Sequence, residues 1–208
     1  MTTAKASRGR IDKREAILTA ALTVFARRGY AQSCVQEIAD AASVAKPTVY
    51  NHLTDKETLF RAAMSAAADT IGEQALGALE PLREPGDDLA AAFGATAALL
   101  LQACSGERAL ALHRLTYAQA GDFPDLVDTV LDRTTIRLRD ALADRLARLA
   151  LAGRLRHGDP AVAAEQFLAL LSGPLEARSR QGNRAVAAAE LRAVADAAVD
   201  TFLRAYRP

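Results

Sequence analysis

Residues 29–60 read GYAQSCVQEIADAASVAKPTVYNHLTDKETLF, and the fold turns on how they are parsed. Gly29 is placed to close the preceding helix in a left-handed cap, with Arg27 and Arg28 set against that helix's negative end. Val35, Ile38 and Ala39 then share one face of a short helix near 34–42, with Ser33 as its N-cap. A second short helix is predicted over 46–53. Pro47 is tolerated there because first-turn amides have no intrahelical partner. Thr54 and Asp55 open a longer helix that runs to about 80, with Glu57 in its first turn. Two short helices three or four residues apart, braced by a longer one, make a helix-turn-helix. Val35, Ile38, Val49 and Leu53 clamp the pair and leave Lys46, Thr48, Tyr50, Asn51 and His52 partly outward. Those types suit nucleic acid: lysine neutralises phosphate, Thr, Tyr and His donate to phosphate oxygens, and asparagine pairs with a base edge.

Working outward, the helix before this stretch is predicted over 11–28. Its stripe of Ile17, Ala20, Ala21, Val24 and Phe25 has the spacing of one helical face. Residues 1–10 read as a disordered basic arm. Residues 1–60 hold nine Lys and Arg against six Asp and Glu, a net of +3, while the whole chain carries only +1. All four lysines (Lys5, Lys13, Lys46, Lys56) fall in this segment, so a polyanion partner is expected at this end.

The blocks at 29–39, 44–53 and 55–60 together resemble the DNA-binding domain of TetR-family transcriptional regulators, over about residues 11–62. The resemblance implies a helix-turn-helix domain over 11–54 that binds a palindromic double-stranded operator as one half of a homodimer. It places Lys46, Pro47, Thr48 and Asn51 at the groove, and Tyr50, His52 and Lys56 at the backbone. Ser33 or Cys34 matches the phosphate contact at the start of the second helix. Three positions depart from the family pattern. Ser43 stands where the turn usually has glycine, which is costly if a left-handed conformation is required. Ala45 replaces a serine that would cap the next helix, and Leu53 replaces a phenylalanine.

Beyond residue 55 the chain is rich in alanine and leucine, with no alternating β-branched run, so the fold class is all-α with about nine helices. Further helices are predicted at 87–104, 107–120, 123–152, 159–181 and 184–206, the 123–152 helix being about 45 Å long at ~1.5 Å per residue. Phe123-Pro124-Asp125-Leu126, Asp159-Pro160 and the 167–174 stretch are similar to a common C-terminal type of the same family. That resemblance implies a helical ligand-binding and dimerisation domain over 55–208. The last two helices are apolar on two sides and so need two partners, one of them a second copy. Phe167, Leu170, Leu171, Leu175, Leu191, Val194, Val199, Phe202 and Leu203 are the expected interface residues.

A small apolar or amphipathic ligand is expected to meet Met64, Phe93, Leu100, Cys104, His113, Tyr117, Phe123 and Phe167. At helical spacing the same residues also read as ordinary core. No catalytic or metal motif is present: His52, His113 and His157 are too scattered for a ligand set, and no GxSxG, P-loop or GxGxxG occurs. No cofactor, metal or enzymatic activity is expected. Two cysteines seventy positions apart exclude a disulfide scaffold, and charges through the first sixteen residues argue against a secretory signal, so a cytoplasmic location is expected. The uncharged run 89–106 reads as a buried helix, not a membrane span. The function read from these features is a sequence-specific DNA-binding regulator, most simply a repressor released by its ligand. Alternatives are a helical ligand-binding protein or enzyme that does not read DNA, and a ligand-independent activator.

Overall fold

The computed structural model describes the backbone of residues 2–208 and the side chains from Lys13 onward. Every element among the described residues is helical. Helix α1 spans Thr2–Arg28, so helical backbone covers most of the stretch expected as a disordered arm over 1–10. Ala4, Lys5, Ala6 and Arg8 are good helix formers, and the one interruption, Gly9, costs only about 1 kcal/mol. Met1 lies outside the described residues. The chain continues through α2 (Val35–Ala41), α3 (Lys46–His52), α4 (Lys56–Gly77), α5 (Leu89–Ser105), α6 (Glu107–Ala118), α7 (Pro124–Leu131), α8 (Arg137–Leu151), α9 (Pro160–Ser179) and α10 (Ala188–Tyr206). The long helix expected over 123–152 is divided by a π-turn at Asp132–Ile136. No single helix among the described residues is long and apolar enough to cross a membrane.

The chain forms two compact units. The first takes the residues up to Ala68 together with Ala111–Val130; the second takes Asp69–Leu110 and Leu131–Pro208. The expected boundary at 54/55 therefore lies inside the first unit. In that unit Ile17, Ala21, Val24 and Phe25 of α1 are buried with Ile38, Val49, Leu59 and Phe60. The expected stripe on α1 is thus the buried one, except that Ala20 is only half-buried.

The second unit is centred on three phenylalanines from three helices: Phe93, Phe167 and Phe202, with ring centroids 5.0 to 5.3 Å apart. Each is at most 1% exposed, and mutual tilted and edge-on packing adds to their apolar burial. Tyr206 stacks on Phe202 at 4.5 Å and donates its hydroxyl to Gln166 Oε1 at 2.6 Å. Side-chain caps set the helix starts: Asp88 Oδ1 accepts from the Ala91 amide, and Asp159 Oδ1 from the Ala161 amide ahead of Pro160.

Within the same unit the π-turn lies on the end of α4. The Arg133 carbonyl approaches Gly72 so closely that a Cβ there would overlap it. One turn back, Asp69 Oδ2 pairs with Arg133 Nη1 at 2.8 Å. Glycine at 72 admits the widened backbone, which is a reason for this helix-rich sequence to keep a poor helix former there.

Candidate nucleic-acid interface

The reading helix α3 is built from short-range signals. α1 closes at Gly29 (φ +78°), whose amide donates to Phe25 O, and Ser33 follows in the turn. Ser33 is buried, and its hydroxyl donates to Tyr30 O at 2.8 Å. Ser33 is not the N-cap of α2 that its position had suggested, because the helix starts one residue later, and its one hydroxyl proton is spent inside the fold. Cys34 is the cap instead, its exposed Sγ accepting from the Glu37 amide at 3.5 Å. Glu37 also draws Arg27 and Arg28 onto the start of α2.

The turn between α2 and α3 has the hydrogen bonds of a Schellman motif. The Ser43 amide donates to Asp40 O at 3.1 Å and the Val44 amide to Ala39 O at 3.0 Å. Ser43 holds φ +55°, so the left-handed conformation that would favour glycine is present and serine carries it. α3 then starts at Ala45, which offers no side-chain cap, with Pro47 in the first turn.

Val49, 1% exposed, is the buried residue of α3, and Ile38 of α2 and Leu53 are buried as well. The outer face is Lys46, Pro47, Tyr50 and Asn51, all exposed, with Thr48 and His52 half-buried. Lys46 Nζ lies 6.0 Å from the Tyr50 ring. A cation, a phenol and an amide on one solvent-facing side of a buried-backed helix can enter a groove, neutralise phosphate and read a base edge. Lys56 behaves otherwise. Its ammonium donates to Ala31 O at 3.0 Å and lies 4.8 Å over the Tyr30 ring, so it braces the turn before α2.

Three residues of this unit were not read as part of it. Phe123 meets Tyr30 at 5.0 Å and Phe60 at 5.4 Å, completing an aromatic cluster with Phe25. Arg61 forks onto Asp125, with Nη1 to Oδ2 at 2.6 Å and Nη2 to Oδ1 at 3.3 Å, and lies 5.1 Å over the Phe123 ring. Arg61 holds the Asp125 carboxyl below the usual carboxylate range. Burial, aided by the Glu57 and Asp55 charges, pushes the Tyr30 phenol up. The only signal in sequence was the Phe-Pro-Asp run at 123–125, which names no partner.

Residues 17–63 match the family model for bacterial regulatory proteins of the tetR family, and residues 92–208 match the model for the C-terminal domain of AefR-like transcriptional repressors. The chain belongs to the TetR family. It is a DNA-binding transcriptional regulator. A TetR-family regulator from Mesorhizobium loti MAFF303099 is 30% identical, covering 96% of this chain and 98% of that one, with a TM-score of 0.85. The flavonoid-responsive regulator FrrA is 25% identical, covering 95% and 98%, with a TM-score of 0.70. The transcriptional activator FasR of Mycolicibacterium smegmatis (strain ATCC 700084 / mc(2)155) is 39% identical over 62 residues, which is 30% of this chain and 28% of that protein.

In this TetR-family chain the expected ligand residues are divided between the two units. Phe93, Leu100 and Phe167 lie in the core of the second unit with Cys104 at its edge, where burial raises the Cys104 thiol pKa. Met64, His113, Tyr117 and Phe123 belong to the first unit. Phe123 is taken up by the aromatic cluster just described. Tyr117 is 61% exposed and packs on His113 at 4.7 Å, so it is no buried wall. Among the expected interface residues, Phe167, Leu171, Leu175, Val194, Val199, Phe202 and Leu203 are buried within their own protomer. They are core residues, because the Phe93–Phe167–Phe202 packing draws both apolar stripes inward. Leu170 and Leu191 remain at the rim, half-buried. Among the described residues no group of three His, Cys, Asp or Glu is placed to hold a metal ion.

Proposed function

We propose that the chain acts as a homodimeric, ligand-released repressor, each protomer laying α3 in the major groove of one half of a palindromic operator. The observation that carries this is the outer face of α3. Lys46, Pro47, Tyr50 and Asn51 face solvent while Val49 on the opposite side is buried. In this reading Lys46, Pro47, Thr48 and Asn51 meet base edges, and Tyr50, His52 and Cys34 meet phosphates. The dimer uses the faces of α9 and α10 that the protomer core leaves open. Val162, Ala169, Ser172 and Gly173 on α9, with Ala193 and Ala197 on α10, are exposed and small enough for close helix approach. The ligand is a small apolar or amphipathic molecule, and it acts by binding the DNA-free form more tightly than the DNA-bound form. The likeness to a flavonoid-responsive regulator favours aromatic polyphenols as first probes.

The test is duplex binding by the wild-type protein and Lys46→Ala, on fragments of the source genome and on a random-sequence duplex pool. Lys46→Ala is expected to weaken binding to the selected duplex and to relax its preference over the random-sequence pool. It should leave the dimer intact in solution light scattering. A protein that ignores every duplex at low salt ends this reading. A second reading, an activator, is favoured by the likeness to an activator over 62 residues. A reporter placed behind the selected operator separates the two by the sign of the change.

A further inference from the structure

We propose that the corner between α6 and α7 is the positioning strap of the DNA-reading unit, with Phe123 and Asp125 holding α4 and the entry to α2 in the pose that reads DNA. The proposal rests on the DNA-reading role of α3 argued above. Neither residue touches DNA in it; both act through Arg61 and Tyr30.

The geometry runs in one direct line. Asp125 grips Arg61 with both oxygens, at 2.6 and 3.3 Å, and Arg61 also takes Glu57 Oε1 at 2.8 Å. That fork fixes the second turn of α4. The Arg61 guanidinium covers Phe123, and Phe123 closes the aromatic cluster against Tyr30 and Phe60. Tyr30 is where the strap meets the reading elements. Its carbonyl accepts from Ser33, and its ring lies under Lys56, which bonds to Ala31. These contacts hold the turn that caps α2, and α2 in turn packs on α3, with Ile38 and Val49 both buried.

Stability alone is a weak reason for the ion pair. The Asp125 side chain is 70% exposed and that of Arg61 34%. Pairs this open contribute little to folding. What a forked carboxylate supplies here is direction: it holds a planar guanidinium over Phe123 and so fixes the second turn of α4 against this corner. α1 to α3 and the start of α4 contain Phe25, Tyr30 and Phe60, but without Phe123 the cluster lacks its fourth ring. A segment arriving more than sixty residues later therefore decides how rigidly the reading helix is held.

The test turns on the sign of a charge effect. Asp125→Asn removes a negative charge from a unit that binds a polyanion, so simple electrostatics calls for tighter DNA binding. Positioning calls for weaker binding, by about 5- to 20-fold, on a duplex selected by the wild-type protein. The slope of log affinity against log salt stays unchanged because no phosphate contact is lost. Asp125→Glu, which can still fork Arg61, restores most of the affinity. Phe123→Leu, which keeps the site apolar, weakens binding to a similar degree. Hydrogen exchange on the free protein is expected to show faster exchange at 30–37 in Asp125→Asn. Affinity equal to or tighter than wild type in Asp125→Asn, or weaker affinity with a changed salt slope, overturns the proposal. Failure of the wild type to bind any duplex would remove the DNA-reading role instead. Unchanged exchange at 30–37 overturns the strap whether or not DNA is bound.

Discussion

The turn at Ser43 allows a quantitative test, because the protein contains its own control. Ser43 occupies the left-handed position of a Schellman motif at φ +55°, and Gly153 occupies the same position after α8 at φ +70°. The hydrogen bonds match: 3.1 and 3.0 Å around Ser43, 3.0 and 2.9 Å around Gly153. Serine has therefore not distorted the turn; its cost is held in its own backbone. A left-handed L-residue costs about 1–2 kcal/mol. Glycine's greater freedom in the unfolded chain returns about 0.5–1 kcal/mol of that. Ser43→Gly is thus expected to stabilise the protein by about 0.5–1 kcal/mol, or roughly 1–4 °C in melting temperature for a chain of this size. Ser43→Val puts a β-branched residue where it fits worst and should lose at least about 1 kcal/mol. Thermal unfolding followed by far-ultraviolet circular dichroism reads both. Operator affinity of Ser43→Gly should match wild type, since the turn keeps its shape. If the valine variant melts with wild type, or the glycine variant melts below it, the assignment of strain to Ser43 is wrong.

Three further outcomes follow from the same structure. Ala45→Ser supplies the missing N-cap of α3, where the backbone is already extended at φ −73° and ψ 142°, and should add about 1 kcal/mol in urea unfolding. Gly72→Ala drives a methyl group into the Arg133 carbonyl and should cost about 1–3 kcal/mol; an unchanged urea midpoint would mean that the π-turn does not rest on this helix. Acid should act late. Arg61 beside Asp125, Arg148 beside Asp144 and Arg184 beside Glu190 hold those carboxyls below their ordinary range, and the Thr58 amide does the same for Asp55. A lowered folded pKa gives stability that is complete above the unfolded value and lost as pH falls through the folded one. Their share of the urea midpoint is therefore expected to hold down to about pH 4 and to fall below it, given unfolded carboxyls near 4. A midpoint that rises between pH 5 and pH 3 contradicts this.

Much of the reading head was legible in the order of its residues. Helix starts, Pro47 in a first turn, a left-handed requirement at Ser43 and the outer face of α3 depend on neighbours within four or five positions, and spacing encodes such neighbours. Even here one local competition went the other way: Ser33 and Cys34 are both able to cap α2, and the hydroxyl bonded to Tyr30 O, leaving the thiol as cap. In the body, periodicity located the helices but not the partners of their faces.

What the sequence determined by itself is an all-helical chain, a helix-turn-helix near its start and the side of α3 turned to solvent, because each follows from short-range spacing and local backbone chemistry. Only the tertiary structure decided that Phe123 and Asp125 close the reading unit, that the 123–152 helix widens into a π-turn against Gly72, and that the apolar stripes of α9 and α10 turn into their own protomer. An apolar stripe states that burial is needed, not against what. Partners some sixty positions apart are chosen by the shape left over once every other face is packed.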